Sequence, residues 1–382
     1  MPRKKFKVEN NKKSIFKVYL IYFITLLLFC CVRIMSSVGA FDNMSGFNAD
    51  IVTTLLIQVV VVFLLPVIMY CTFIKVTPKQ LIKTCNFYKP QVMVVLISIG
   101  LGVLCFIINV IVSTIASGIL SSLGYSSNTS VVAGIDFGVG NLLKDIILVA
   151  VLPAFCEEVL HRGILLQGTK HSGFKRAIIL SALCFALIHL NISQFFFAFV
   201  VGIIIGFVSV VSKNIWTAVI IHFTTNALSV YLDYAEYNGW VGGDILSNLT
   251  STLSNYNVFT LFIVCAVFLI VLFVIFAYLI WVLYKYAILN KVNRAINSVY
   301  TSTDVDVRNS PIRTTKGEAI QELLESNTVL NLDYEEMKNP IDIVMPKQKE
   351  VYDETKRDRL FLYGTIILGG LITIFTFIWG IM

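Results

Sequence analysis

Asp145-Ile146-Ile147-Leu148-Val149-Ala150-Val151-Leu152-Pro153-Ala154-Phe155-Cys156-Glu157-Glu158-Val159-Leu160-His161-Arg162-Gly163 is an apolar run interrupted by two adjacent carboxylates, an imidazole and a guanidinium. Its length and hydropathy are those of a membrane-spanning helix. A charged side chain near the middle of such a helix costs roughly 2.5–3.5 kcal/mol on insertion scales, so the pair Glu157-Glu158 needs compensation from its surroundings. Intramembrane ionisable residues of this kind mark a functional site by default.

The rest of the chain has the same character. Of 382 residues, 57% are hydrophobic and only 14% charged, which excludes an ordinary soluble domain. Apolar runs long enough to span a hydrocarbon core can be drawn nine times: Phe16–Met35, Ile51–Ile74, Val92–Leu120, Asn141–Gln167, Phe174–Leu190, Ile192–Val211, Ile215–Leu232, Val258–Ala287 and Leu360–Ile381. The expected fold is an all-α polytopic transmembrane bundle of about nine spans. The basic start, Met1–Lys17, followed by an apolar run resembles a signal peptide, but the run is too long and lacks a small-x-small cleavage site.

The net charge of +7 does not indicate nucleic-acid binding, because the basic residues sit mainly at the amino terminus and in short loops. Those with Lys75, Lys79, Lys83 and Lys89, with Lys170, Lys175 and Arg176, with Lys213, and with Lys285, Lys291 and Arg294 alternate with loops that hold no Lys or Arg. The positive-inside rule then gives a cytoplasmic amino terminus and, after nine spans, a carboxyl terminus outside. The turn Asn191–Ser193 is the shortest connection in this scheme. Eight cysteines fall mostly inside apolar runs without a C-x-x-C pair, so they read as small buried residues.

Five regions follow. Residues 1–90 hold the basic segment and two spans, and 91–235 the core around the charged helix. Residues 236–289 are a loop and a span. Residues 290–359 carry 13 of the 23 acidic residues interleaved with Lys and Arg, the composition of a charged cytoplasmic segment. Residues 360–382 are the last helix.

Chemistry concentrates in the core. Helical spacing puts Glu158 beside Arg162, Glu157 beside His161, Phe185 beside His189, and His222 beside Asn226. Three helices thus offer carboxylates, imidazoles and a carboxamide, the groups that water activation and oxyanion stabilisation require. Interhelical hydrogen bonding by the same residues, or proton transport, uses the same side chains. All four histidines lie between His161 and His222, which argues for a shared site. The His-Glu-x-x-His and Gly-x-Ser-Gly signatures of other membrane proteases are absent, and Gly242-Gly243-Asp244 lacks a partner aspartate in a span.

Three segments resemble the signature motifs of the CAAX protease and bacteriocin-processing (CPBP, or Abi) family. Glu157-Glu158-Val159-Leu160-His161-Arg162-Gly163 resembles its E-E-x-x-x-R-G motif, Phe185-Ala186-Leu187-Ile188-His189 its F-x-x-x-H motif, and His222-Phe223-Thr224-Thr225-Asn226 its H-x-x-x-N motif. The resemblance covers roughly Asp145–Ser229. His161 departs from the aromatic or aliphatic residue usual before the arginine.

The resemblance implies an intramembrane endopeptidase acting on a membrane-associated peptide or protein, either a CAAX-type or a bacteriocin- or signal-peptide-type substrate. It implies catalytic Glu157, His189, His222 and Asn226, with Glu157 and His189 activating water and His222 and Asn226 holding the oxyanion. Glu158 and Arg162 are supporting residues, and Asp145 has a helix-end role. Direct activation without a cofactor is the preferred reading. If zinc were used, its ligands would be His189, His222 and Glu157. A non-enzymatic immunity or scaffolding protein and a proton-coupled transporter are the alternatives. The expected setting is a multi-pass protein of a bacterial cell membrane, surrounded by lipid.

Overall fold

The computed structural model describes residues 2–41, 49–126, 137–254 and 354–381, and residues 260–283 in part. Lipid offers the backbone no hydrogen-bond partners, so a spanning chain closes its own as helix. The described regular structure is accordingly helical. In order run α1 (Pro2–Ser37), α2 (Ile51–Ile74), the short α3 (Pro78–Thr84), α4 (Val92–Ser122), α5 (Val139–Ser172), α6 (Phe174–Leu187) and α7 (Ile192–Ser212). They are followed by α8 (Ile215–Asn238), α9 (Gly243–Ser254), α10 (Ile270–Leu283) and α11 (Leu360–Ile381).

Seven of the described helices are long and apolar enough to cross a membrane, and they coincide with seven of the nine expected spans. The chain is a multi-pass membrane protein. Two spans differ from expectation. Val258–Ala287 lies partly outside the described residues, which show α10 as a helix of 14 residues. Phe174–Leu190 is instead α6, also 14 residues, about 21 Å at 1.5 Å per residue and short of a hydrocarbon core about 30 Å thick. α8 continues six residues past the expected Leu232 before Gly239, at φ +65°, closes it in left-handed conformation.

The short turn after α6 is built from two local features. Leu190 adopts φ +52°, and Asn191, in extended conformation, caps α7 by accepting a hydrogen bond from the Ser193 N–H at 2.8 Å. Asn214 caps α8 in the same way, taking the Trp216 N–H at 3.1 Å. Its amide also donates to the Tyr88 carbonyl at 2.9 Å, which ties the loop before α4 to the start of α8.

Packing divides into two main apolar groups. One joins Ile15, Val18 and Leu26 of α1, Val61 and Met69 of α2, Leu160 and Leu165 of α5, and Cys184 of α6. The other joins Leu101 and Cys105 of α4 to Ile205 and Val208 of α7 and to Ala218 and Ile221 of α8. Since lipid is as apolar as these side chains, close van der Waals fit and polar contacts hold the helices together.

α2 over Leu56–Leu64 and α5 over Ile146–Val151 and Val159–Leu166 wind as π-helix, wider than the α form. Such turns cost hydrogen-bond geometry and recur at functional sites. Here the last of them begins directly after Glu158.

Residues 284–353, the bulk of the expected charged segment, lie outside the described residues. Where the chain is described again, Glu354 is buried, with 2% of its surface exposed. It accepts hydrogen bonds from the Tyr19 hydroxyl at 3.0 Å, from Arg176 at 2.7 Å, and from the Ser172 hydroxyl. The beginning of α11 is therefore fixed to α1 and to the α5–α6 junction.

Candidate active site

Glu158 is the innermost polar group, fully buried on α5. Its Oε1 accepts from Arg162 Nη1 at 2.8 Å and from His222 Nδ1 at 2.9 Å. Arg162 Nη2 donates to the Gly202 carbonyl on α7 at 3.1 Å, and the guanidinium carbon lies 4.7 Å from the Phe185 ring centroid. One ion pair thus links α5 to α6, α7 and α8. Burying two charges is unfavourable unless the Coulombic gain and extra hydrogen bonds offset their dehydration, and these contacts supply part of that offset.

Phe185 sits at the centre. Its ring centroid is 5.1 Å from His161, 5.1 Å from His189 and 5.6 Å from His222. The rings meet edge to face, the arrangement that sets hydrogen edges against the electron-rich ring face. The three motif helices therefore converge on one side chain despite the unequal depths that residue counting gives His189 and His222.

α6 ends where it does to serve His189. The N–H of Ile188 bonds the Cys184 carbonyl, and that of His189 bonds Ala186, so the backbone ladder skips the Phe185 carbonyl. His189 Nδ1 takes it at 2.7 Å. A carbonyl only accepts, so Nδ1 carries hydrogen and the neutral ring keeps its lone pair on Nε2. The Glu157 carboxylate lies within electrostatic range of this ring and accepts from Gln58 Nε2 of α2 at 2.9 Å.

His161 is held by two contacts of its own. Its Nδ1 lies 2.7 Å from the backbone carbonyl of Glu157, not its carboxylate as helical spacing suggested, and its Nε2 lies 3.0 Å from the Tyr22 hydroxyl. Tyr22 also donates to the Cys184 carbonyl at 2.7 Å. His161 is thus a fully buried brace between α1, α5 and α6.

Asn226 Nδ2 donates to the Val149 carbonyl at 3.1 Å. Val149 lies in the π-helical turn Ile146–Val151, so the carboxamide ties α8 to the backbone of that widened turn. One of its two N–H groups is thereby engaged. Asp145 lies apart from this cluster and accepts from the Tyr234 hydroxyl at 2.6 Å, in keeping with a helix-end role.

The glycine closing the first motif has a steric cause. A Cβ on Gly163 would meet Cys85 Sγ at 2.8 Å, closer than atoms pack. Burial pushes the Cys85 thiol up to about 12, so it is no nucleophile at neutral pH. Gly163→Ala is expected to cost about 1–3 kcal/mol of stability as an overpacked contact. Cys85→Ala in the same chain should return part of that loss, as read from thermal unfolding in detergent; no rescue would mean the clash lies elsewhere.

Among the described residues no three His, Cys, Asp or Glu side chains are grouped closely enough to hold one metal ion. His189, His222 and Glu157 as placed do not fit a zinc ion.

Sequence reasoning did not find Gln58 or Tyr22. Each is a polar residue alone in an apolar span, without periodicity to single it out. The Gly202 carbonyl was equally invisible, since a backbone acceptor has no residue signature.

Residues 139–228, which contain α5, α6, α7 and most of the site-bearing part of α8, match the family model described as "Type II CAAX prenyl endopeptidase Rce1-like". No curated protein and no solved structure matches the chain. Together with the three motifs and their convergence on Phe185, this match makes residues 139–228 similar to the Rce1-like endopeptidases and supports a CPBP-type intramembrane protease core within the helical bundle.

Proposed function

We propose that the chain hydrolyses a peptide bond near the carboxyl-terminal or membrane-proximal end of a membrane-associated protein or peptide, with Glu157 as general base. The convergence of His161, His189, His222 and Arg162 on Phe185 beside the glutamate pair supports this reading. Glu157 takes a proton from water, oriented by His189 Nε2, and the hydroxide adds to the scissile carbonyl carbon. The resulting oxyanion accepts hydrogen bonds from His222 Nε2 and from the second Asn226 N–H. Collapse breaks the C–N bond, and Glu157 passes its proton to the leaving amine.

His222 donates through Nε2 only as the imidazolium, protonated at both ring nitrogens, since Nδ1–H is already committed to Glu158. That form also balances the site: Glu157 and Glu158 carry two negative charges against one on Arg162, and His222 supplies the second positive charge. The basic residues ahead of the first span support a cytoplasmic amino terminus.

Comparing the peptides of membranes that carry the wild-type chain or Glu157→Ala tests the reading and identifies the substrate together. Carboxyl-terminal or membrane-proximal fragments should vanish, and their longer precursors accumulate, in the variant. Identical peptide populations, with the variant inserted and folded, would show that the chain is not acting as a protease through Glu157.

A further inference from the structure

We infer that Gln58, on a helix outside the family-matched segment, is a positioning residue that holds the Glu157 carboxylate in its working orientation. This rests on Glu157 serving as the base. Gln58 lies in the otherwise apolar run Leu56–Leu64, where a carboxamide is costly to place. Its Nε2 donates to Glu157 Oε1 at 2.9 Å, and of the Glu157 oxygens this one is thereby directed towards α2.

Two observations independent of that distance support the role. The Gln58 carbonyl oxygen is buried and has no hydrogen-bond partner among the described residues. A structural amide placed to join two helices would use both ends, since an unpaired buried acceptor is unfavourable. Gln58 instead spends its donor on the carboxylate. The second observation is backbone form: α2 is π-helical around Gln58, and α5 becomes π-helical directly after Glu157-Glu158. α2 departs from α geometry at Gln58 itself and α5 two residues beyond Glu157, and such departures recur at functional sites.

The consequence is a division of labour between segments. α5, α6 and α8 supply the reacting groups, and α2 sets the rotamer of the base. A carboxylate free to swing away from the water would lower the rate without weakening substrate binding, because misplacement by about 1 Å can cost on the order of a hundredfold.

The test follows release of the Glu157-dependent fragment found by the membrane comparison, using the full chain and three variants. Gln58→Met keeps the volume and removes the donor; kcat should fall about 10- to 100-fold with KM changed less than about twofold. Thermal stability should stay at the wild-type value, because the unpaired carbonyl leaves too. Gln58→Glu keeps the shape but donates only when protonated, so its activity relative to wild type should rise as the pH is lowered from about 8 to about 6. Glu157→Gln separates the two claims. If it is as active as wild type, the reading of Glu157 as base fails. If it is inactive while Gln58→Met retains wild-type kcat, the Gln58 inference alone is overturned. A loss in Gln58→Met that tracks lowered stability, with no pH response in Gln58→Glu, would likewise overturn it.

Discussion

Arg162→Met is expected to destabilise the folded chain by about 3–5 kcal/mol, because it leaves the Glu158 carboxylate buried without its main counter-charge. Both side chains are fully buried, so solvent cannot screen the loss. The substitution also removes the donor to the Gly202 carbonyl and the cation over the Phe185 face. Arg162→Lys should recover little, since a single ammonium cannot reach the carboxylate and the carbonyl with separate arms of one planar fork. The double variant Glu158→Gln/Arg162→Met is the informative one. Glu158 Oε2 and Arg162 Nε are buried without partners among the described residues, so the ion pair is incompletely satisfied even when intact. Removing both charges should therefore restore much of what the single change loses. Unfolding in detergent measures all three, and an Arg162→Met chain within about 1 kcal/mol of wild type would show that the buried pair is not what binds α5 to α7.

His189→Ala should lower kcat about 10²- to 10⁴-fold, the range for removal of a positioned acid or base, while leaving stability close to wild type. The second half of that expectation comes from position. His189 lies two residues beyond the end of α6 and is only half-buried, so its loss opens no cavity inside the bundle. Glu157→Ala should have an effect of similar size. The pair together should lose little more than either alone, because groups that act on one water fail as a unit. Rates from purified protein on the identified substrate decide this. Multiplying losses in the double variant would indicate that the two residues serve separate steps.

The fold and the reaction class were legible because both are carried by strong signals. Long apolar runs gave seven helices with small boundary errors, and the spacing Glu158-x-x-x-Arg162 gave the ion pair directly. Spacing served less well where the backbone is not α-helical or where its own groups accept. His161 was paired with the Glu157 side chain on the basis of a 3.6-residue turn, yet it meets the backbone carbonyl. Asn226 shares a helical face with His222 but is partly engaged by the Val149 carbonyl in the π-helical turn of α5. The shortness of α6 was hidden because the apolar run continues through the turn, and only the Leu190 backbone and the Asn191 cap mark the reversal. Gln58 was overlooked because one carboxamide in a span produces no pattern.

Phe185 contributes no proton, charge or hydrogen bond from its side chain, yet it touches every cationic or imidazole group of the cluster. Each of those groups is thereby mechanically coupled to the others through a rigid disc. A change in any one must be accommodated by the ring and felt by the remaining three. Substitutions around the ring are consequently expected to be non-additive, a change at one position altering what is tolerated at its neighbours.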